Sequence, residues 1–265
     1  MLYSSSTLFW GRSILEMAKA LETYHLTGIE FWYEQAQYFN LSPKEIADVF
    51  SSYSQARTVH AASWDLNLSS INRGVRQQSL EEIEKSLHFA KLLQADDVTI
   101  HPGRHSSISL LDDWHREQML YSVEAIDQLA QQYEMPVSFE LMEPIRKEMY
   151  TTPTQLNALL EACSDWVYTT YDVAHSSLGE EPERALIQLE RVNKIHMSDA
   201  TPLAFHVPVG QGEIQWSRLM PYILNKKVPL ILEGFDVSED EQFLRAHLAG
   251  LRHLEQTSER REQSV

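Results

Sequence analysis

Basic side chains are scarce: 22 Lys and Arg stand against 38 Asp and Glu, a formal net charge of −16. A surface of that balance repels phosphate backbones and anionic membranes, which weighs against a nucleic-acid partner and against a membrane. Cysteine occurs once, at Cys163, so no intrachain disulfide can form and nothing requires an oxidising compartment. The thiol reads as buried and inert. No apolar run approaches the roughly 18 residues of a membrane span, and Met1 to Phe9 carries no basic stretch ahead of an apolar one. The expectation is a soluble, cytoplasmic protein. Neither a GxGxxG fingerprint nor a P-loop occurs, and the nearest approach, Gly210-Gln211-Gly212, reads as a turn needing positive φ.

What is present is an ordinary globular balance, 43% hydrophobic and 23% charged, over 265 residues. That length suits one α/β barrel, a fold of about 250 residues. Short β-rich runs alternate with stretches of helical periodicity along the whole chain. The strand candidates are Leu2–Ser6, Gly28–Tyr33, Arg57–Ala61, Asp97–His101, Pro136–Leu141, Val167–Asp172, Lys194–Met197 and Pro229–Glu233. Between them, Leu80, Ile83, Leu87, Ala90 and Leu93 recur at steps of three and four, the stripe of an amphipathic helix. Ser42-Pro43 and Thr152-Pro153 are helix starts, each a capping residue ahead of a first-turn proline. The repeats favour an α/β fold with one closed (β/α)8 barrel over residues 1–254 and a polar, frayed tail over 255–265.

Ionisable residues close the strands: His60, His101, Glu140, Asp172, His196 and Glu233 each end a run that should be buried. A barrel gathers the C-terminal ends of its strands around one cavity, so these residues form a set. Three carboxylates packed together would repel, and some would take up protons, unless a cation neutralised them. The expectation is a divalent metal, with Mn, Zn, Mg and Co all compatible with mixed oxygen and nitrogen ligands and between one and three ions accommodated.

Thr58-Val59-His60 followed by Asp65-Leu66-Asn67-Leu68, then Thr99-Ile100-His101-Pro102-Gly103, resemble the xylose isomerase-like TIM barrels, the group of sugar phosphate isomerases and epimerases and endonuclease IV. Ser138-Phe139-Glu140, Tyr171-Asp172-Val173-Ala174-His175, Ile195-His196-Met197-Ser198-Asp199, Val209-Gly210-Gln211-Gly212 and Leu230-Ile231-Leu232-Glu233 follow in the family's order, so the resemblance covers nearly the whole chain. It implies a metal quartet of Glu140, Asp172, His196 and Glu233, with Glu140 and Glu233 also transferring protons. It further implies that His60, His101, His175 and His206 match histidines of the endonuclease's larger zinc cluster. The Asp that the endonuclease carries two residues before the last of these is Ala204 here.

The resemblance implies an isomerase or epimerase acting on a sugar, sugar phosphate or related polyol or ketone, by proton transfer beside a metal-bound carbonyl. Two alternatives stay open on the same barrel: an endonuclease IV-like zinc phosphoesterase, and a metal-dependent lyase or dehydratase. A non-enzymatic scaffold is disfavoured by the intact quartet, since buried charge is costly unless used. His175, Trp32, Trp64 and Arg146 are candidate contacts for a small carbohydrate-like substrate, with Trp10, Tyr33 and Phe235 as further wall residues and Arg104, like Arg146, placed to meet a phosphate or carboxylate on it. Asp199 reads as a support for an imidazole or a Lys. A homo-oligomer is compatible with the sequence, which carries no heptad or apolar stripe that decides.

Overall fold

Eight parallel strands close into a barrel in the computed structural model, which describes residues 1–107, 111–176, 178 and 181–262. The barrel strands are β1 (Leu2–Ser5), β2 (Gly28–Trp32), β3 (Ala56–His60), β4 (Val98–Ile100), β5 (Val137–Glu140), β6 (Val167–Asp172), β7 (Val192–Met197) and β10 (Leu230–Leu232). Each pairs with its neighbour in sequence, and β1 closes the ring on β10 with Tyr3 opposite Ile231. All eight strands expected from the sequence are present, within a residue or two of the expected ends. Two more, β8 (Asp199–Thr201) and β9 (Ala204–Val207), form an antiparallel hairpin just past β7 that the sequence did not announce.

Helices pack outside: α1 (Ile14–Thr23), α2 (Tyr33–Tyr38), α3 (Pro43–Phe50), α4 (Arg73–Leu92), α5 (Asp112–Tyr133), α6 (Pro153–Leu160), α7 (Pro182–Gln188), α8 (Trp216–Lys226) and α9 (Gln242–Glu262). Ser42 caps α3 by accepting from the Glu45 amide, and Thr152 forms a capping box with Gln155 at α6, each ahead of a first-turn proline as the sequence indicated. The stripe on α4 lands on the barrel, with Ile83, Leu87, Ala90 and Leu93 buried. Two expectations are corrected. The last helix runs on to Glu262, so residues 255–262, which the sequence reading set apart as a tail, continue α9. Cys163 is only half-buried; burial and the charge of Asp127 push its thiol up to about 11, which leaves it inert all the same. Among the described residues no helix is long and apolar enough to cross a membrane.

Candidate metal centre and active site

Strand geometry fixes the quartet. Glu140 and Asp172 are the last residues of β5 and β6, His196 is next to last in β7, and Glu233 follows β10. Exposure is 1% or less for the first three and 6% for Glu233. One donor atom from each lies within 4.8 Å of the others. His196 Nδ1 is 2.9 Å from Glu233 Oε2 and 3.6 Å from Glu140 Oε1. Glu140 Oε2, Asp172 Oδ2, Glu233 Oε2 and His196 Nδ1 are all buried with no hydrogen-bond partner. Four unpartnered lone-pair atoms converging in one pocket fit a divalent cation in both chemistry and number.

The electrostatics agree. Burial resists ionisation of Glu140, but His101 and His196 outweigh it and hold the carboxyl well below the usual range. Glu233 is brought to about 2 in the same way, burial being overcome mainly by His196. Asp172 goes the other way: burial, reinforced by the charges of Glu233 and Glu140 and only partly offset by His175, pushes it well above the ordinary carboxylate value. Three carboxylates therefore cannot all stay ionised here by themselves, and a bound cation removes that conflict.

Two further clusters share the carboxylates of the first. His60 Nε2 and His101 Nε2 lie 3.5 and 3.1 Å from Glu140 Oε2 and 3.1 Å from each other. On the opposite flank, His175 Nε2 and His206 Nδ1 lie 3.5 and 3.8 Å from Asp172 Oδ2. All eight candidate ligands thus gather at one end of the barrel, in groups that Glu140 and Asp172 join. His206 sits on β9 in a left-handed conformation, φ 55°, and its hydrogen-bond partner is Ser198 Oγ at 3.0 Å. Ala204, also on β9, is exposed and offers no donor.

Behind His196 lie residues the sequence reading passed over. Glu30 Oε1 is 2.9 Å from His196 Nε2, on the side of the ring away from the quartet. Lys194, completely buried, bridges Glu30 at 3.0 Å and Asp97. Period-two geometry was the available signal, since Lys194 and His196 are two apart on one strand and share its inward face. Asp199 takes a different role from the one expected. Its carboxylate accepts from the amides of Gly210 (2.9 Å) and Ile214 (3.0 Å) and from Trp216 Nε1 (2.7 Å), so it holds the loop after β9 and not an imidazole or a lysine.

A cavity of about 470 Å³ opens above the quartet. Trp32, Trp64, Phe205 and Phe235 give it an apolar lining, and Arg104 and Glu148 line it as well. Trp64 is 51% exposed, while Trp32 is nearly buried. Arg146 is exposed and does not line the cavity, because the loop after β5 turns its side chain to solvent. A larger groove, about 890 Å³, lies on the outer wall beside α2 and α4 and holds none of the candidate ligands.

The sequence profile of the xylose isomerase-like TIM barrel matches residues 18–256. The chain belongs to that family. Among family relatives, an uncharacterized protein of Methanocaldococcus jannaschii is 23% identical over 222 residues, 83% of this chain and 81% of that protein. Solved structures similar to this xylose isomerase-like barrel include a D-tagatose 3-epimerase-like protein, with a TM-score of 0.83, 20% identity and coverage of 100% and 99% of the two chains. Another is the 3-keto-D-glucoside 4-epimerase of E. coli, with a TM-score of 0.80, 16% identity and coverage of 96% and 98%. At these identities the likeness establishes the fold.

Proposed function

We propose that this chain is a divalent-metal-dependent isomerase or epimerase that moves a proton at the carbon next to the carbonyl of a sugar or related polyol-derived ketone. The observation that carries the reading is the convergence of four buried, unpartnered donor atoms from Glu140, Asp172, His196 and Glu233. Of the similar structures, one is named a 3-keto-D-glucoside 4-epimerase and another a D-tagatose 3-epimerase-like protein, which supports the same class.

Mn, Zn, Mg or Co held by the quartet would polarise a carbonyl and its neighbouring hydroxyl. Glu140 and Glu233, both held ionised by neighbouring histidines, are the bases: one takes the proton from the carbon and the other returns it. His175 faces the same cavity, with Nδ1 2.9 Å from the Leu141 carbonyl and Nε2 3.5 Å from Asp172 Oδ2 and 3.7 Å from Glu143 Oε2, where it would meet a substrate oxygen or a further metal. Trp32 and Trp64 offer flat faces to the C–H side of a sugar ring.

The test is isotope exchange. Incubating the metal-loaded protein with free ketoses in deuterium oxide should place deuterium at the carbon beside the carbonyl, and Glu140→Gln or Glu233→Gln should abolish it. A second reading, a zinc phosphoesterase, is favoured by the preformed flanking clusters around His60 and His101 and around His175 and His206. Against it stand Ala204 and the net charge of −16. Hydrolysis of phosphodiesters without carbon-bound exchange would replace the first reading with the second.

A further inference from the structure

Inward positions of parallel barrels ordinarily hold bulky apolar side chains. Here Glu30, Thr58, Thr99, Ser138, Thr170 and Lys194 occupy the interior beneath the quartet, each at most 1% exposed. Their hydrogen bonds have a direction. Glu30 Oε2 accepts from Lys194 Nζ at 3.0 Å, from Thr58 Oγ1 at 3.1 Å and from Thr99 Oγ1 at 3.3 Å. The Thr99 hydroxyl also lies 3.3 Å from that of Thr170, itself 2.7 Å from Ser138 Oγ. Asp97 holds Lys194 from its other side. One oxygen of Glu30 is therefore occupied by three donors, and the other, Oε1, faces His196 Nε2 at 2.9 Å.

We infer that Glu30, clamped by Lys194, Thr58 and Thr99, is a positioning residue that fixes His196 with its proton on Nε2 and its Nδ1 lone pair toward Glu140, Asp172 and Glu233. The inference rests on the reading that these four residues hold a cation. Each ring nitrogen lies 2.9 Å from a carboxylate oxygen, Nε2 from Glu30 Oε1 and Nδ1 from Glu233 Oε2. A cation held by Glu140, Asp172 and Glu233 would take the place of a proton on Nδ1, and the one hydrogen of the neutral ring would then sit on Nε2, facing an oxygen that only accepts. Lys194 touches none of the quartet, yet it and the two hydroxyls decide which Glu30 oxygen is left for the ring. Net stability is a poor explanation for such a buried ion network, because desolvation consumes most of its Coulombic gain. Orienting a metal-binding histidine, in contrast, alters metal affinity by about 10- to 100-fold.

The inference makes Glu30→Gln specific. Lys194, Thr58 and Thr99 would draw the amide oxygen to themselves, turning the NH2 group toward His196 and favouring the opposite tautomer. Cobalt(II) is the probe, titrated into the metal-stripped full chain and followed by its visible absorption, on variants whose circular dichroism matches the wild type. Glu30→Gln and Lys194→Met should each weaken binding by about 10- to 100-fold. The double variant should bind much as the weaker single does, because both act through one imidazole. Wild-type affinity in folded Glu30→Gln overturns the inference while leaving the metal reading intact. No cobalt binding by the wild type overturns both. A measurement on the unmutated chain guards against misfolded variants: nitrogen-15 NMR of the zinc-loaded protein should show His196 protonated at Nε2 and coordinated through Nδ1. The reverse assignment also overturns the inference.

Discussion

The indole of Trp32 lies flat on the imidazole of His60, with ring centroids 3.9 Å apart and planes 11° from parallel. Trp32 is 9% exposed and Trp64 51%, although both border the same cavity. Their substitutions should therefore separate. Trp32→Ala removes a packed core ring and is expected to cost about 3–5 kcal/mol. Trp64→Ala should cost less than about 1 kcal/mol and act on KM once a substrate is in hand. Thermal melts of the two variants check the split, and equal losses of stability would contradict it.

His247, on α9, links acid stability to the site. Its Nδ1 accepts from the Val209 amide at 3.2 Å and its Nε2 donates to the Glu233 carbonyl at 2.9 Å, a pattern that requires the neutral ring. Burial pushes its pKa down to about 4, against the smaller opposing effect of the Glu233 carbonyl. A histidine depressed in this way contributes stability above its unfolded value of about 6.5, and the contribution disappears as pH falls through the folded value. The amount at stake is about 3 kcal/mol. Urea unfolding at neutral pH and at about pH 4.5 should show the wild type losing more stability than His247→Gln, whose amide keeps one donor and one acceptor. Parallel pH profiles for the two chains would count against this account.

Gly212 is required for close approach and Gly210 for conformation. A Cβ on Gly212 would run into the Asp199 carboxylate and the Ala200 carbonyl, while Gly210 has φ +82°. The Asp199 cradle of loop amides thus depends on a missing side chain. Gly212→Ala is expected to cost about 1–3 kcal/mol by overpacking. An unchanged melting temperature would show that the loop shifts freely.

The barrel was legible because short β-rich runs alternate with helical stretches along the chain, as Val98–Ile100 follows α4. The strand-end candidates were legible for the same reason: polar groups such as Glu140 and Asp172 stand out at the close of buried runs. The β8–β9 hairpin was not, since strands as short as Asp199–Thr201 leave no alternation to read. Glu30 and Lys194 were missed because they lie inside strands and meet only across the closed ring, 164 positions apart in sequence. Arg146 lies outside the cavity lining because a strand fixes where its own last residue points but not where the following loop carries a side chain.

The central claim is that Glu140, Asp172, His196 and Glu233 hold a divalent cation. Elemental analysis of protein purified without chelators or an affinity tag, repeated on Glu233→Gln, tests it most directly. The account predicts about one ion per wild-type chain, lost from the variant. Protein that retains no divalent metal under any loading condition would contradict it.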